Sequence, residues 1–207
     1  MKNVLLKSAA ILFIFTLTIG CAYAQKVKGN GKTINKTRNV GSFDGVGVSG
    51  SFDVILVAGN EGKLDLSVEE NLEQYLITEV KDGNLKIKWK KGVNIRTTRS
   101  TIITVHFKNI SSLAMSGSGD ITSKDRIKGK SLDMAVAGSG DIKLEMDVQT
   151  AKSAISGSGD IELSGRAIEF EAAVSGSGDI EAYDLKTEKS ELKIAGYQIN
   201  HKKVYRL

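Results

Sequence analysis

Gly138-Ser139-Gly140-Asp141-Ile142 is one line of a text that this chain writes four times. The same five residues stand at Gly117-Ser118-Gly119-Asp120-Ile121, Gly157-Ser158-Gly159-Asp160-Ile161 and Gly176-Ser177-Gly178-Asp179-Ile180. Their first glycines lie 21, 19 and 19 residues apart. A fixed period near twenty residues marks stacked repeats. Around the second copy, Met134, Val136, Gly138, Gly140, Ile142 and Leu144 share one side of an alternating strand. Ala137, Ser139, Asp141 and Lys143 share the other. One face is therefore apolar plus glycine, and the other is small and polar.

A lone repeat of this kind cannot bury its apolar face, whereas stacked repeats can. The spacing predicts an all-β solenoid with coils of about twenty residues, roughly 4.8 Å apart. The inward glycines (Gly117, Gly119, Gly138, Gly140, Gly157, Gly159, Gly176 and Gly178) are expected to form a corner where no Cβ fits. An antiparallel sandwich is the alternative arrangement. It explains less well why identical motifs recur at identical spacing.

Working outward, Ser49-Gly50-Ser51-Phe52-Asp53-Val54 reads as a degenerate copy with Phe52 at the second glycine. The N-terminal coils are thus expected to follow the same plan with longer insertions. Alternation also predicts strands around Leu64–Val68, Ile77–Val80, Leu85–Trp89 and Ile102–Phe107, with one or two helical turns near Leu72–Leu76. Ile194-Ala195-Gly196-Tyr197 reads as a decayed terminal turn. A single domain over residues 41–207 is expected, with repeats clearest over 113–199. Residues 25–40 lack periodicity and read as a flexible lead-in.

Residues 1–24 have the pattern of a secretory leader: Lys2 and Lys7, an apolar run, then Ala22-Tyr23-Ala24. Cleavage after Ala24 is expected, with lipidation of Cys21 as the weaker alternative. That apolar run is short for a membrane span, and no other segment has the apolar length for one. The net charge of +5 falls to +3 without the two leader lysines, 5 − 2. Mixed with 24 acidic residues, the basic ones leave no footprint for nucleic acid. Lys86, Lys88, Lys90 and Lys91 read as the solvated face of a strand. The chain has no proline and 22 glycines, so glycine must supply its bends.

In register, stacking aligns Ser118, Ser139, Ser158 and Ser177 in one outward column and Asp120, Asp141, Asp160 and Asp179 in another. Neighbouring carboxylates at that spacing repel by roughly 1 kcal/mol in water. Three readings follow. The carboxylates are solvated and accept turn hydrogen bonds, or they hold a cation, or one pair acts on polysaccharide as in β-helical enzymes. No cofactor or metal motif accompanies them. His106 and His201 lack partners in sequence, and no cysteine lies beyond the leader. Gly29-Asn30-Gly31-Lys32-Thr33 resembles the tail of a phosphate loop, but Lys26 stands where its first glycine belongs. No nucleotide site is expected. The fourfold repetition favours a binding face or a structural rule over a single active site.

The Ser-Gly-Ser-Gly-Asp-Ile repeats, the leader, Phe43-Asp44-Gly45-Val46 and Asp82-Gly83-Asn84-Leu85 resemble the putative auto-transporter adhesin, head GIN domain family of Bacteroidetes. The resemblance covers about residues 40–195. It implies a right-handed parallel β-helix in an exported protein at the cell surface, in the periplasm or secreted. The expected function is a non-enzymatic, adhesin-like binding or structural module, with a glycan or extracellular matrix ligand. The alternative is a polysaccharide-active enzyme using a carboxylate pair. Family members usually continue with further Gly-Ser-Gly motifs where this chain has Gly196-Tyr197-Gln198-Ile199. Self-association through the solenoid ends is therefore expected.

Overall fold

The computed structural model describes residues 25–194; the leader with Cys21, the terminal turn from Ala195 and His201 lie outside them. The protein is all-β. Its first strands are β1 (Gln25–Lys28), β2 (Thr33–Asn39), β3 (Gly45–Ser49), β4 (Asp53–Ala58) and β5 (Lys63–Glu69). A 3-10 turn at Glu73–Tyr75 leads to β6 (Leu76–Lys81), β7 (Asn84–Trp89), β8 (Val93–Arg96) and β9 (Ile102–Phe107). The repeats supply β10 (Ser112–Gly117), β11 (Ile121–Ser123), β12 (Ile127–Gly138), β13 (Ile142–Gly157), β14 (Ile161–Gly176) and β15 (Ile180–Ile194). Thirteen strands join one curled sheet, and β1 pairs with β8 apart from it.

The repeats stack as parallel rungs. Gly117 pairs with Gly138, Gly138 with Gly157, and Gly157 with Gly176. Beyond the corner, Ile121 pairs with Ile142, Ile142 with Ile161, and Ile161 with Ile180. Identical residues thus lie on one another. The strands are long: β13 and β14 each run sixteen residues from one Gly-Ser-Gly-Asp corner to the next. The inward positions of β12, β13 and β14 (Leu132, Val136, Ile142, Met146, Ile155 and Ile161 among them) are buried in one continuous core. β15 carries one extra residue, which shifts the register between Glu162 and Ser164.

The second glycine of each corner is buried and the first is half-buried or exposed, and each member of a pair is required for its own reason. Gly157 has φ +142°, where an L side chain is strained, and a Cβ there would lie 2.2 Å from the carbonyl oxygen of Gly138. A Cβ on Gly159 would lie 2.1 Å from the carbonyl oxygen of Gly140. Adjacent backbones simply approach too closely for a side chain.

The degenerate copy also takes its place in the stack. β3 pairs in parallel with β10, and β4 with β11. Gly50 has φ +132° and lies against Gly117. Phe52, standing at the second glycine, is fully buried and tilts against Trp89 with ring centroids 4.9 Å apart. The N-terminal plan departs from sequence order, however. β7 and β9 form the rung beyond β3 and β4, so the chain passes outward before returning to β10. Antiparallel strands then close that end: β6 on β7, and β5 with β2 on β9.

The expectation of a flexible lead-in over residues 25–40 is corrected. β1 and β2 are strands there, and β2 pairs with β5 along its whole length. Both are largely polar and exposed because they add to sheet edges, so they bury too little to show periodicity.

Gly159→Ala is expected to cost about 1–3 kcal/mol of stability. Ser158→Ala, on the exposed side of the same corner, should stay within about 0.5 kcal/mol. Urea unfolding midpoints with matched m-values check the pair.

Candidate functional site

At each corner the backbone ladder must turn without losing hydrogen bonds. Ser158 N–H donates to the carbonyl of Gly138 at 2.8 Å, and Ile142 N–H donates to the carbonyl of Asp160 at 2.9 Å. The N–H of Asp160 lies between them. Oδ1 of Asp141, on the rung before, accepts it at 2.8 Å. Asp160 Oδ1 accepts the N–H of Asp179 at 2.8 Å, and Asp120 Oδ1 that of Asp141 at 3.3 Å. One oxygen of each of these three carboxylates is therefore tied to the fold.

Asp120, Asp141 and Asp160 line a cleft of about 310 Å3 with Thr122, Lys143, Glu162 and Glu181. Lys143 pairs with Glu162 at 2.7 Å, both exposed. Asp179 and the serine column do not line it. Ser118, Ser139, Ser158 and Ser177 are exposed on the other side of the corner. Among the described residues no three His, Cys, Asp or Glu side chains converge as a metal site would need.

The larger depression lies on the outer face of the strands that precede the corners. This groove of about 490 Å3 crosses β3, β10, β12, β13 and β14, with Asn84 of β7 at one end and Glu191 and Lys193 of β15 at the other. Pairing in register puts Gly47, Ala114, Ala135, Ala154 and Ala173 side by side along its floor. Asp133, Lys152, Glu171 and Glu191 border it, with Lys152 and Glu171 in an ion pair at 3.1 Å. Two residues along each strand, Ser116, Ala137, Ser156 and Ser175 form a parallel exposed row. The sequence reading missed the groove. Its signal was an outward alanine at the same place in every copy, four residues before each corner serine.

Two other polar clusters serve the fold. Asp65 Oδ2 lies 2.8 Å from Lys63 Nζ and 2.9 Å from His106 Nε2, and Thr37 donates to Oδ1. Hydrogen bonds from Lys63, His106 and Thr37 hold that carboxyl far below the usual range. His106 thus has a partner that no sequence motif announced. Glu69 is buried. It accepts from the N–H groups of Gly31 (2.6 Å), Thr98 (2.8 Å) and Arg99 (3.3 Å) and from the Thr98 hydroxyl (2.6 Å). The glycine-rich segment that mimicked a phosphate loop does help to hold an anion, and the anion is the protein's own carboxylate. Burial pushes Glu69 up, but the donors on Thr98, Gly31 and Arg99 outweigh it and hold the group below 4.5.

These parts define an all-β module of stacked parallel rungs, with one groove and one cleft laid across repeated positions. Residues 42–198 match the family described as putative auto-transporter adhesin, head GIN domain, and the chain belongs to that family. It is similar to a solved putative lipid binding protein from Parabacteroides distasonis ATCC 8503, at 27% identity and TM-score 0.68, over 82% of this chain and 81% of that one. A putative adhesin from the same organism is 25% identical with TM-score 0.66, over 82% and 81%. A putative adhesin from Bacteroides fragilis NCTC 9343 shares the fold at 20% identity and TM-score 0.74, over 81% and 78%. Among curated proteins none matches. No helix among the described residues is long and apolar enough to cross a membrane.

Two outcomes follow. Asp141→Asn keeps the oxygen that accepts from Asp160 and removes one charge from the column, so stability should hold or rise. Asp141→Ala leaves that N–H to water and should cost about 1 kcal/mol, measured by urea unfolding. For Glu69, the folded carboxyl titrates below its unfolded value of 4.5. Its stabilisation is therefore complete above that pH and is lost as pH falls through the folded pKa. Glu69→Gln should lower stability by about 1–3 kcal/mol at neutral pH. The difference from the native chain should shrink in acid, as read from unfolding curves across pH.

Proposed function

We propose that this chain is an exported, non-enzymatic, adhesin-like module that holds an extended glycan along its repeated outer face. In this reading the leader is removed after Ala24, residues 41–207 act as one domain, and the rungs wind as a right-handed parallel β-helix. The 19-residue pairing offset between β12, β13 and β14 supports the winding. Family membership supports export to the surface, the periplasm or beyond.

The observation that carries the proposal is the groove across five strands, floored by Gly47, Ala114, Ala135, Ala154 and Ala173. An apolar furrow beside regularly spaced hydroxyls suits a polymer of like units, with sugar faces on the alanines and sugar hydroxyls toward the serines. The columns named from sequence adjoin it on one side: Ser118, Ser139, Ser158 and Ser177. The Asp120–Asp141–Asp160 cleft lies around the corner as the competing ligand face. One oxygen of each of those carboxylates is tied to a backbone N–H, so the column is explained by the fold, which weighs against a carbohydrate-active enzyme. A second reading, lipid binding, draws support from the apolar floor and from the related putative lipid binding protein.

Ala154→Trp fills the floor from an exposed position. It should abolish retention on a glycan array while leaving the melting temperature near that of the native chain; Asp141→Asn should retain binding. If Asp120→Ala, Asp141→Ala and Asp160→Ala weaken binding in steps and Ala154→Trp does not, the ligand lies in the cleft. Partition onto phospholipid vesicles without glycan binding would favour the lipid reading. Polysaccharide turnover abolished at a single Asp would overturn the non-enzymatic one.

A further inference from the structure

β15 is an edge. It pairs with β14 and, among the described residues, with no other strand. At fifteen residues it far exceeds β2 and β6, the seven- and six-residue strands that end the sheet elsewhere. The core is also least covered here. Every buried hydrophobic residue outside β15 is 4% exposed or less, whereas Ile180 and Leu185 reach 5% and 6%.

The sequence of this edge complements its own reverse. Set Ile180–Ile194 antiparallel to a second copy, centred on Thr187. Glu181 then faces Lys193, Lys186 faces Glu188, Ala182 faces Leu192, and Ile180 faces Ile194. Two-fold symmetry makes each pair twice, and no like charges meet. A slip of one residue sets Glu181 against Leu192 or Ile194. A slip of two sets Glu188 against itself, or Glu181 against Glu191 and Lys186 against itself. Parallel stacking in register would superpose every charge on its own kind. Charges on an edge ordinarily deter pairing; here they favour this register over a slip of two residues.

The shape of the rung agrees. The β14–β15 ladder skips Ile168 and resumes at Lys189, so the bend falls beside Thr187. The bend divides β15 into two arms of similar length. A two-fold axis through it into the interior lays each arm on the partner's other arm; Ala182 and Leu192 meet on the inward side, whereas the extra residue of β15 sets Leu185 opposite Lys189 and Ser190 opposite Asp184 beside the bend. Ala182 and Leu192, both partly buried, then cover one another. Glu188 already pairs with Arg166, and Lys193 with Glu191, in exposed contacts that a second opposite charge extends.

We infer that β15 is a self-association edge, and that two copies join head to head through antiparallel β15–β15 pairing centred on Thr187. The interface is isologous, as a two-fold dimer requires. It leaves the outer groove of each copy running toward that of its partner.

The test uses the full chain, expressed with its own leader and purified from the exported fraction. Sedimentation velocity across micromolar to millimolar concentrations should show a monomer–dimer equilibrium. Lys193→Glu sets two acidic pairs face to face and should raise the dimer Kd by about tenfold or more. Glu181→Lys combined with Lys193→Glu reverses both members of each pair and should restore dimerisation. Monomer at every concentration, a dimer indifferent to Lys193→Glu, or no restoration in the double variant would overturn the inference. Backbone amides of β15 should gain protection from hydrogen exchange as concentration rises. Full protection in the monomer would assign the edge to residues 195–207 instead, and would equally overturn it.

Discussion

The approach of one glycine to the carbonyl of the glycine before it is the constraint on which the rest of this structure depends. At Gly140, Gly159 and Gly178 the space for a Cβ is filled by the backbone oxygen of the neighbouring rung at 2.0–2.1 Å. Such an approach is available only to a residue without a Cβ. Once the glycines stack, the register of every adjoining strand is fixed, because a one-residue slip would turn the core outward. Each Asp then follows from the same geometry. The corner would leave one N–H outside the ladder, and the carboxylate of the preceding rung accepts it. The repeated motif is thus a joint with two glycines for fit and one Asp for hydrogen-bond closure.

The two ends of the stack solve the edge problem differently. At the N-terminal end, Phe52 replaces the second glycine of its corner and directs a ring onto Trp89, where the repeat rungs need only backbone. Antiparallel strands and the buried Glu69 then lock β5 to the loops at Gly31 and Thr98. These are irregular, particular contacts, and they end the parallel stack. β15, by contrast, has no strand beyond it among the described residues, and its long edge is open to pairing.

The repeats were legible because their information is redundant: four copies state one rule, and the rule has a single steric meaning. The parallel register, the inward glycines and the role of Gly50 as a further rung all follow from it. The N-terminal order was not legible. That β7 and β9 lie outside β3 and β4 depends on long-range pairing of strands with similar alternation, such as Leu85–Ile87 and Ile103–Val105, which no local pattern ranks. β1 and β2 escaped notice because edge strands with two wet faces carry no period. Half of the site was visible as well. The Ser and Asp columns were placed by spacing, but the alanine floor was hidden, since an outward alanine reads as mere absence of a side chain until four of them align.

That absence bears on what the surface can do. Along the Asp column, chemistry-bearing groups are present and already engaged by the fold; along the alanine row, nothing is present and so nothing competes with a ligand. An enzyme concentrates strained, unequal groups at one point, where their inequality sets roles of acid and base. Here Asp120, Asp141 and Asp160 repeat one role, each accepting the N–H of the next rung's Asp. Such a surface gains strength by summing weak, equal contacts along a length, and the sum grows with the number of rungs engaged. Joining two stacks through β15 lengthens the row without new chemistry. A repeated face and an open edge therefore favour the same outcome, a longer platform for an extended partner.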